Sequence, residues 1–184
     1  NTLSILTYAM VEQAERGGVR VSDLEVVQSE IRRLNLLVEQ FVQFAGPRPP
    51  RFQRHRLEEV LEEALLLIAP EAAKKSIRVE RTWQKTEPVW ADGDQLKQVF
   101  LNLLLNAVQA MDAGGRLHAS TDRVVGGVVV QIRDTGPGVA REVLDRLFEP
   151  FVTTKRRVQL SGLGLAVARE LVGRVGGTLD LVPT

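Results

Sequence analysis

Apolar positions recur with helical spacing over the first 45 residues of the chain. In residues 1–16 they fall on one side of a predicted helix, and Gly17-Gly18 ends it. A second predicted helix, with Ser22 as its N-cap, extends to residue 45 and keeps the i, i+3, i+4, i+7 spacing for about three heptads. Because a lone hairpin leaves both apolar faces exposed, this pattern predicts a dimeric four-helix bundle.

A proline-rich segment, Gly46-Pro-Arg-Pro-Pro50, interrupts the helical pattern. Prolines at this density cannot continue a helix and favour a semi-stiff connector. We therefore predict a helical hairpin over residues 1–45, a linker over 46–50 and a second domain over 51–184.

The second domain alternates between strand and helix periods. The predicted strands are Arg51–Arg56, Ile77–Trp83, Val89–Ala91, Leu117–Arg123, Val128–Arg133 and Thr178–Val182. The predicted helices are Leu57–Ala69 (ended by Pro70), Asp94–Met111, Ala140–Leu147 and Gly162–Val175. Because adjacent strands are often close in sequence, the order predicts an α+β fold: an α/β sandwich with a mixed, mostly antiparallel sheet and helices on one face.

Composition narrows the classes of function. A net charge of +1 gives no bulk electrostatic case for nucleic acid. The absence of cysteine excludes thiol chemistry and thiolate zinc sites, and permits a reducing cytoplasm. No run of ~18 apolar residues occurs, so we expect no membrane contact from this chain. His55 and His118 lack the spacing of metal ligands.

The predicted helix Asp94–Met111 is apolar around most of its circumference. Asn102 and Asn106 lie four residues apart on its narrow polar strip. A solvated strip is the ordinary alternative, but the large apolar neighbours indicate a strip that faces a cavity. Carboxamide oxygens suit Mg²⁺, which is otherwise held by phosphates.

Asp134 ends a predicted strand and is followed by Gly136 and Gly138. A carboxylate there can accept a hydrogen bond from a planar base, and glycines let the backbone approach ring atoms closely. A tight turn is the alternative, and in isolation the commoner one.

Phe148-Glu-Pro-Phe151 is predicted to anchor one end of a loop that carries three consecutive cations, Lys155, Arg156 and Arg157. The loop is either a solvated surface segment or a mobile lid whose cations meet phosphate. Gly162-Leu-Gly164 then opens a helix, with Ser161 as a candidate N-cap, and free N–H groups at a helix start attract anions.

In this order, the segments resemble the sequence boxes of the sensor histidine kinases. Asn102-Leu-Leu-Leu-Asn-Ala107 is similar to their N-box, Asp134-Thr-Gly-Pro-Gly138 to the first glycine box, Phe148–Phe151 to the F-box and Gly162–Leu165 to the second glycine box. Gyrase, the heat-shock chaperones and the mismatch-repair ATPases share a related but looser set. The Thr153-Thr-Lys155 that follows the F-box most resembles the nitrogen-regulator type.

The resemblance implies an ATP-dependent protein-histidine kinase that binds ATP or ADP with Mg²⁺. Asn106 would be the principal Mg²⁺ ligand, Asn102 would stand where hydrolytic relatives carry a water-activating Glu, and Asp134 would bind the adenine amino group. Asn102 and Lys155 are the candidate catalytic residues. The candidate nucleotide contacts are Asn102, Asn106, Asp134, Gly136, Gly138, Phe148, Thr153, Thr154, Lys155, Ser161, Gly162, Leu163, Gly164 and Leu165.

The chain departs from the family pattern at three places. The phosphoacceptor lies in a His-Glu-x-x-Asn-x-Leu phrase, and Asn1-Thr-Leu3 resembles the end of that phrase, so the histidine would precede the first residue. This chain is therefore not expected to phosphorylate itself. Leu160 stands where the second glycine box usually has another glycine, and the family's sheet gains a further strand after residues 178–182.

The resemblance also implies partners. The γ-phosphoryl would pass to a histidine and then to an aspartate on a response-regulator receiver domain. The chain would pair with a second copy through residues 1–45, and the expected location is the cytoplasm. The alternatives are a nucleotide-binding regulatory module without kinase output, a coiled-coil adaptor with an empty fold, and a hydrolytic ATPase.

Overall fold

The computed structural model describes residues 49–150, 152 and 162–182. The chain divides into two compact units, Asn1–Pro47 and Arg48–Thr184. The predicted hairpin over residues 1–45 and its dimeric bundle lie outside the described residues and stay predictions.

The second unit has a mixed order of strands and helices in its described part. The strands are β1 (Gln53–His55), β2 (Arg78–Trp83), β3 (Val89–Ala91), β4 (Arg116–Val124) and β5 (Gly127–Asp134). The helices are α1 (Leu57–Lys74), α2 (Gly93–Ala110), α3 (Arg141–Leu144) and α4 (Gly164–Arg174). No helix in the described part is both long enough and apolar enough to cross a membrane.

Two separate ladders form the sheets. β1 pairs with β3 in the antiparallel sense. In the other sheet, of order β2-β4-β5, β2 is parallel to β4 and β4 is antiparallel to β5. The mixed sheet with packed helices confirms the predicted α+β class. The β4–β5 register places Leu117 opposite Asp134, so the predicted base-binding carboxylate lies at the open end of this hairpin.

The core lies between the helices and one face of β4. Leu61 and Leu65 of α1, Leu104 of α2 and Leu117 of β4 are essentially inaccessible to solvent. Truncating such a leucine to alanine typically costs about 2–5 kcal/mol, because the cavity that remains cannot fully collapse. This packing fixes α2 against the sheet, so the side chains of its polar strip have defined positions.

Two sequence predictions of secondary structure are wrong. α1 does not end at Ala69 but continues through Pro70 to Lys74. The proline removes one backbone donor, but the turn beyond it is retained because Ala72 is buried in the core. Residues 178–182 form no strand, although Leu179 packs against the core. A strand needs a neighbour for its backbone groups, and none of the described strands pairs with these residues.

Candidate functional site

The polar strip of α2 faces into the protein, as the sequence pattern suggested. Asn102 is only 7% exposed, and its Nδ2 is buried without a hydrogen-bond partner among the described residues. Asn106, one turn later, is half-buried. A solvated strip would expose both amides, so that alternative is wrong. A buried amide without a partner is costly, typically about 1–3 kcal/mol, and therefore indicates a place for a polar ligand.

The start of α4 meets these two amides. A Cβ built on Gly164 would lie 3.7 Å from Asn102 Cγ and 3.8 Å from Asn106 Nδ2. The glycine therefore leaves a small space between the amides and the first backbone groups of α4. N–H groups at a helix start and the helix dipole favour an anion in such a space.

The polar strip is longer than the sequence reasoning recognised. Steps of three or four residues connect Gln95, Gln98, Asn102, Asn106 and Gln109 along one side of α2. Of the four buried side-chain atoms without partners in the described part of the chain, three lie on this strip: Gln95 Oε1, Asn102 Nδ2 and Gln109 Oε1. The signal that could have identified the glutamines is the same helical spacing that identified the asparagines.

The N-terminus of α4 corrects the predicted cap. The helix begins at Gly164 with Leu163 in the N-cap position, so Ser161 is too early to be its N-cap. Leu163 is 3% exposed and belongs to the core, so its side chain packs there and only its backbone could approach a ligand. Gly162 has φ +64°, a left-handed conformation that favours glycine and turns the chain into α4. Leu165 is half-buried in the first turn.

Asp134 lies at the end of β5 and is exposed. Its Oδ1 accepts a hydrogen bond of 2.8 Å from the backbone N–H of Gly136. No described residue donates to Oδ2, which leaves one carboxylate oxygen for an external donor such as an exocyclic amine. The turn alternative and the site alternative are therefore compatible, because the turn orients the carboxylate.

Gly136 brings this turn against the end of α2. A Cβ there would lie 2.7 Å from Asp134 Oδ1 and 3.2 Å from Ala110 Cβ, so any larger residue would displace the Asp134 carboxylate. A cleft of about 260 Å³ opens beside the turn. It is lined by Ala110, Met111, Asp112, Ala113, Gly114, Gly115, Thr135, Gly136 and Pro137. Gly138 has φ +74°, which explains the second glycine of the motif.

Phe148 connects to α4 through a contact that the sequence did not indicate. The Arg169 guanidinium lies over its ring, 4.8 Å from the centroid, which is cation–π geometry. The contact agrees with an anchoring role for this aromatic residue. Thr153, Thr154, Lys155 and Ser161 lie outside the described residues, so their predicted contacts stay predictions.

The start of α2 is fixed by an acidic N-cap. Asp92 Oδ1 accepts hydrogen bonds from the backbone N–H groups of Asp94 and Gln95. Its Oδ2 accepts one of 2.7 Å from the backbone N–H of Arg51. Partial burial raises the pKa of Asp92, but these backbone hydrogen bonds and the nearby His55 outweigh it and hold the pKa below its usual value. The cap thus holds the helix that carries both asparagines.

The donor set suits a hard cation that is mostly held by phosphate. In residues 49–150 and 162–182, no group of three or more His, Cys, Asp or Glu side chains could hold a metal by itself. Magnesium commonly retains waters and takes one or two protein ligands beside substrate phosphates. The amide pair and the space beside Gly164 fit a magnesium-bound phosphate chain.

Comparison with known proteins identifies the family of the chain. Residues 91–184 match the family described as histidine kinase-, DNA gyrase B- and HSP90-like ATPases. The chain belongs to this family. Sensor histidine kinase ZraS of Escherichia coli (strain K12) is 34% identical over 171 residues, which cover 92% of this chain and 36% of that protein. The chain spans about a third of the length of the curated relatives it matches.

Solved structures show the same fold. Full-length ShkA in complex with AMPPNP has a TM-score of 0.71 at 29% identity, over 88% of this chain and 36% of that one. Histidine kinase ThkA in complex with the response regulator protein TrrA has a TM-score of 0.75 at 23% identity, over 96% and 52% of the two chains. The resemblance to sensor histidine kinases is confirmed, while the nitrogen-regulator-like subtype stays a prediction.

Proposed function

We propose that this chain is the catalytic core of a sensor histidine kinase, which binds ATP with Mg²⁺ and transfers the γ-phosphoryl group to a histidine. The observation that carries the proposal is the arrangement around α2. Asn102, Asn106 and the start of α4 meet on one side of the helix, and Asp134 lies beside its end. Asn102 and Ala110 are ~12 Å apart along the helix axis, which gives the site an extended form.

Each end of the site would bind a different part of the nucleotide. Asp134 Oδ2 would accept a hydrogen bond from the adenine amine, while the turn through Gly136 holds the carboxylate in place. Asn106 would ligate the cation, and the N–H groups at the start of α4 would bind phosphate oxygens. Magnesium, when bound, neutralises charge on the phosphates.

The chemistry of Asn102 favours transfer over hydrolysis. A carboxamide cannot take a proton from water as a carboxylate does. Its side chain is buried beside Gly164, where it can orient the phosphate chain or a water on the cation. Phosphoryl transfer depends mostly on positioning and charge neutralisation, so a site without a general base at this position suits a kinase. Lys155 would add a cation to the phosphate end.

The rest of the parent protein would complete the reaction. We propose a phosphoacceptor histidine upstream of Asn1, dimerisation through residues 1–45, a cytoplasmic location and transfer to an aspartate on a response regulator. The complex of ThkA with the response regulator protein TrrA supports the last of these partners. The AMPPNP complex of ShkA supports the nucleotide class.

Two measurements test the proposal. Calorimetry of this chain with ADP and Mg²⁺ should show one saturable site. A longer form that includes the upstream histidine should incorporate label from γ-labelled ATP in an acid-labile, base-stable linkage. Nucleotide binding without phosphohistidine would instead favour a regulatory module without kinase output.

A further inference from the structure

Lys75 extends from the end of α1 to the end of α2. Its Nζ donates a hydrogen bond of 3.0 Å to the Val108 carbonyl and one of 2.7 Å to the Met111 carbonyl, in a half-buried setting. The last carbonyls of a helix have no partner within the helix, and a cation there opposes the negative end of the dipole. Lys75 therefore caps α2 from another element.

The backbone of Lys75 holds the segment that follows α2. Its carbonyl accepts a hydrogen bond of 2.6 Å from Gly114, and the next strand adds one of 2.9 Å from the Arg78 N–H to the Gly115 carbonyl. Met111 and Gly114 are thus both fixed by one residue. The segment 111–115 forms one wall of the cleft beside Asp134.

This wall is tightly packed against the turn that carries Asp134. A Cβ on Gly115 would lie 2.8 Å from both Met111 Sδ and Thr135 Oγ1. Thr135 Oγ1 also accepts a hydrogen bond of 3.0 Å from the Arg116 N–H. Thr135 Oγ1 in turn donates a hydrogen bond of 3.7 Å to Met111 Sδ, so a shift of Met111 would displace Thr135 and the neighbouring carboxylate.

We infer that Lys75 is a positioning residue for the base-binding end of the site. By fixing both ends of the wall, it holds the Asp134 carboxylate where it meets an exocyclic amine, without touching the nucleotide itself. Lys75 thereby contributes to the preference for adenine over a base with a carbonyl at that position. The inference rests on the proposed function.

The test compares ADP with inosine diphosphate, whose base has a carbonyl in place of the amine. In calorimetry on the full 184-residue chain, Lys75→Met should lower the ratio of ADP affinity to inosine diphosphate affinity about tenfold. A tenfold change corresponds to the loss of one well-placed charge-assisted hydrogen bond. Lys75→Arg, which keeps the cation, should recover most of that preference.

Lys74→Met is the matched control. Lys74 is 70% exposed and pairs with Glu71 at 2.8 Å within the same helix, so its loss should leave both affinities unchanged. A purely structural role for Lys75 would lower both affinities equally, and that result, or an unchanged preference, would overturn the inference. If the parent chain bound neither nucleotide, the proposed function itself would be wrong.

Stability has to be separated from positioning. Thermal unfolding of each variant shows whether it is folded at the temperature of the titration. If Lys75→Met is unfolded there, Lys75→Gln keeps an uncharged N–H donor group on a shorter side chain and should give an intermediate preference. A folded Lys75→Gln variant with the parent's preference would equally contradict the role.

Discussion

The two ends of the candidate site contribute in different ways. At the phosphate end, where the middle of α2 meets the start of α4, helical side chains are buried, and Asn102 Nδ2 has no partner in the described part of the chain. At the other end, Asp134 is exposed, and one of its oxygens already accepts a bond from the following turn. The first end leaves a buried donor unpaired, whereas the second is ordered by its own backbone.

This difference has an energetic meaning. An unpaired buried amide destabilises the empty protein, and a ligand that pairs with it recovers that free energy on binding. The turn at Asp134 contributes through preorganisation, because little ordering is left to occur when the base binds. Variants at the phosphate end should therefore lose more affinity than variants at the base end.

The largest effect is expected at Asn106. Asn106→Leu removes the candidate cation ligand while keeping a similar volume, so ADP affinity in Mg²⁺ should fall about 100-fold. Calorimetry measures it. With the cation removed by a chelator, parent and variant should bind ADP alike. Equal affinities in Mg²⁺ would contradict the assignment of Asn106.

The next effect is expected at Asp134. Asp134→Asn keeps an oxygen for the Gly136 N–H but removes the charge that binds the amine, so ADP affinity should fall about tenfold or more. Inosine diphosphate should bind the variant nearly as well as it binds the parent. Asp122→Asn, on β4, is the control for a lost surface carboxylate.

Two glycine substitutions at the base end distinguish displacement of the Asp134 carboxylate from backbone strain. Gly136→Ala places a Cβ 2.7 Å from Asp134 Oδ1, so ADP affinity should fall about fivefold as the turn opens. Gly138 has nothing within 4 Å but a φ of +74°, so Gly138→Ala should cost about 1 kcal/mol of stability and should lower ADP affinity less than Gly136→Ala does. If calorimetry showed the larger loss of ADP affinity for Gly138→Ala, and urea unfolding showed the larger loss of stability for Gly136→Ala, the turn would not orient the carboxylate.

The smallest effect concerns the N-cap of the helix that both ends share. Asp92→Ala should reduce the free energy of unfolding by about 1 kcal/mol at neutral pH. Because the pKa of Asp92 is lowered on folding, its contribution is complete above the unfolded pKa of about 3.9 and is lost as the pH falls through the folded value. Urea unfolding at neutral pH and near pH 3 should show the difference shrinking.

Asp94→Ala is the control for this cap. Asp94 is exposed in the first turn of the helix and is not the capping side chain. Its removal should cost less than the removal of Asp92. An Asp92 effect that persisted unchanged in acid would point to packing instead of the charged cap.

Predictions from the sequence were correct where the periodic spacing of residues directly determines which side chains share one face of a helix or strand. The helical period placed Asn102 and Asn106 on one strip of α2, and strand alternation ended β5 at Asp134. It missed Lys75 because a cap donated from another helix has no local signature. It ended α1 too early because Pro70 is a strong local signal that burial of the following turn overrides.

The same reasoning could not decide features that depend on distant partners. The turn and site interpretations of Asp134 looked like alternatives in the sequence, and the hydrogen bond from the Gly136 N–H to Asp134 Oδ1 makes them compatible. Arg169 could not be identified because its partner ring lies 21 residues earlier in the chain, in a different element.

The continuation of α1 through Pro70 has a consequence for protein engineering. Each residue of an α-helix turns the next side chain by about 100°, so one residue inserted or deleted between Pro70 and Lys75 would swing the ammonium away from α2. Chimeras joined within this helix should therefore preserve the residue count of its last turn.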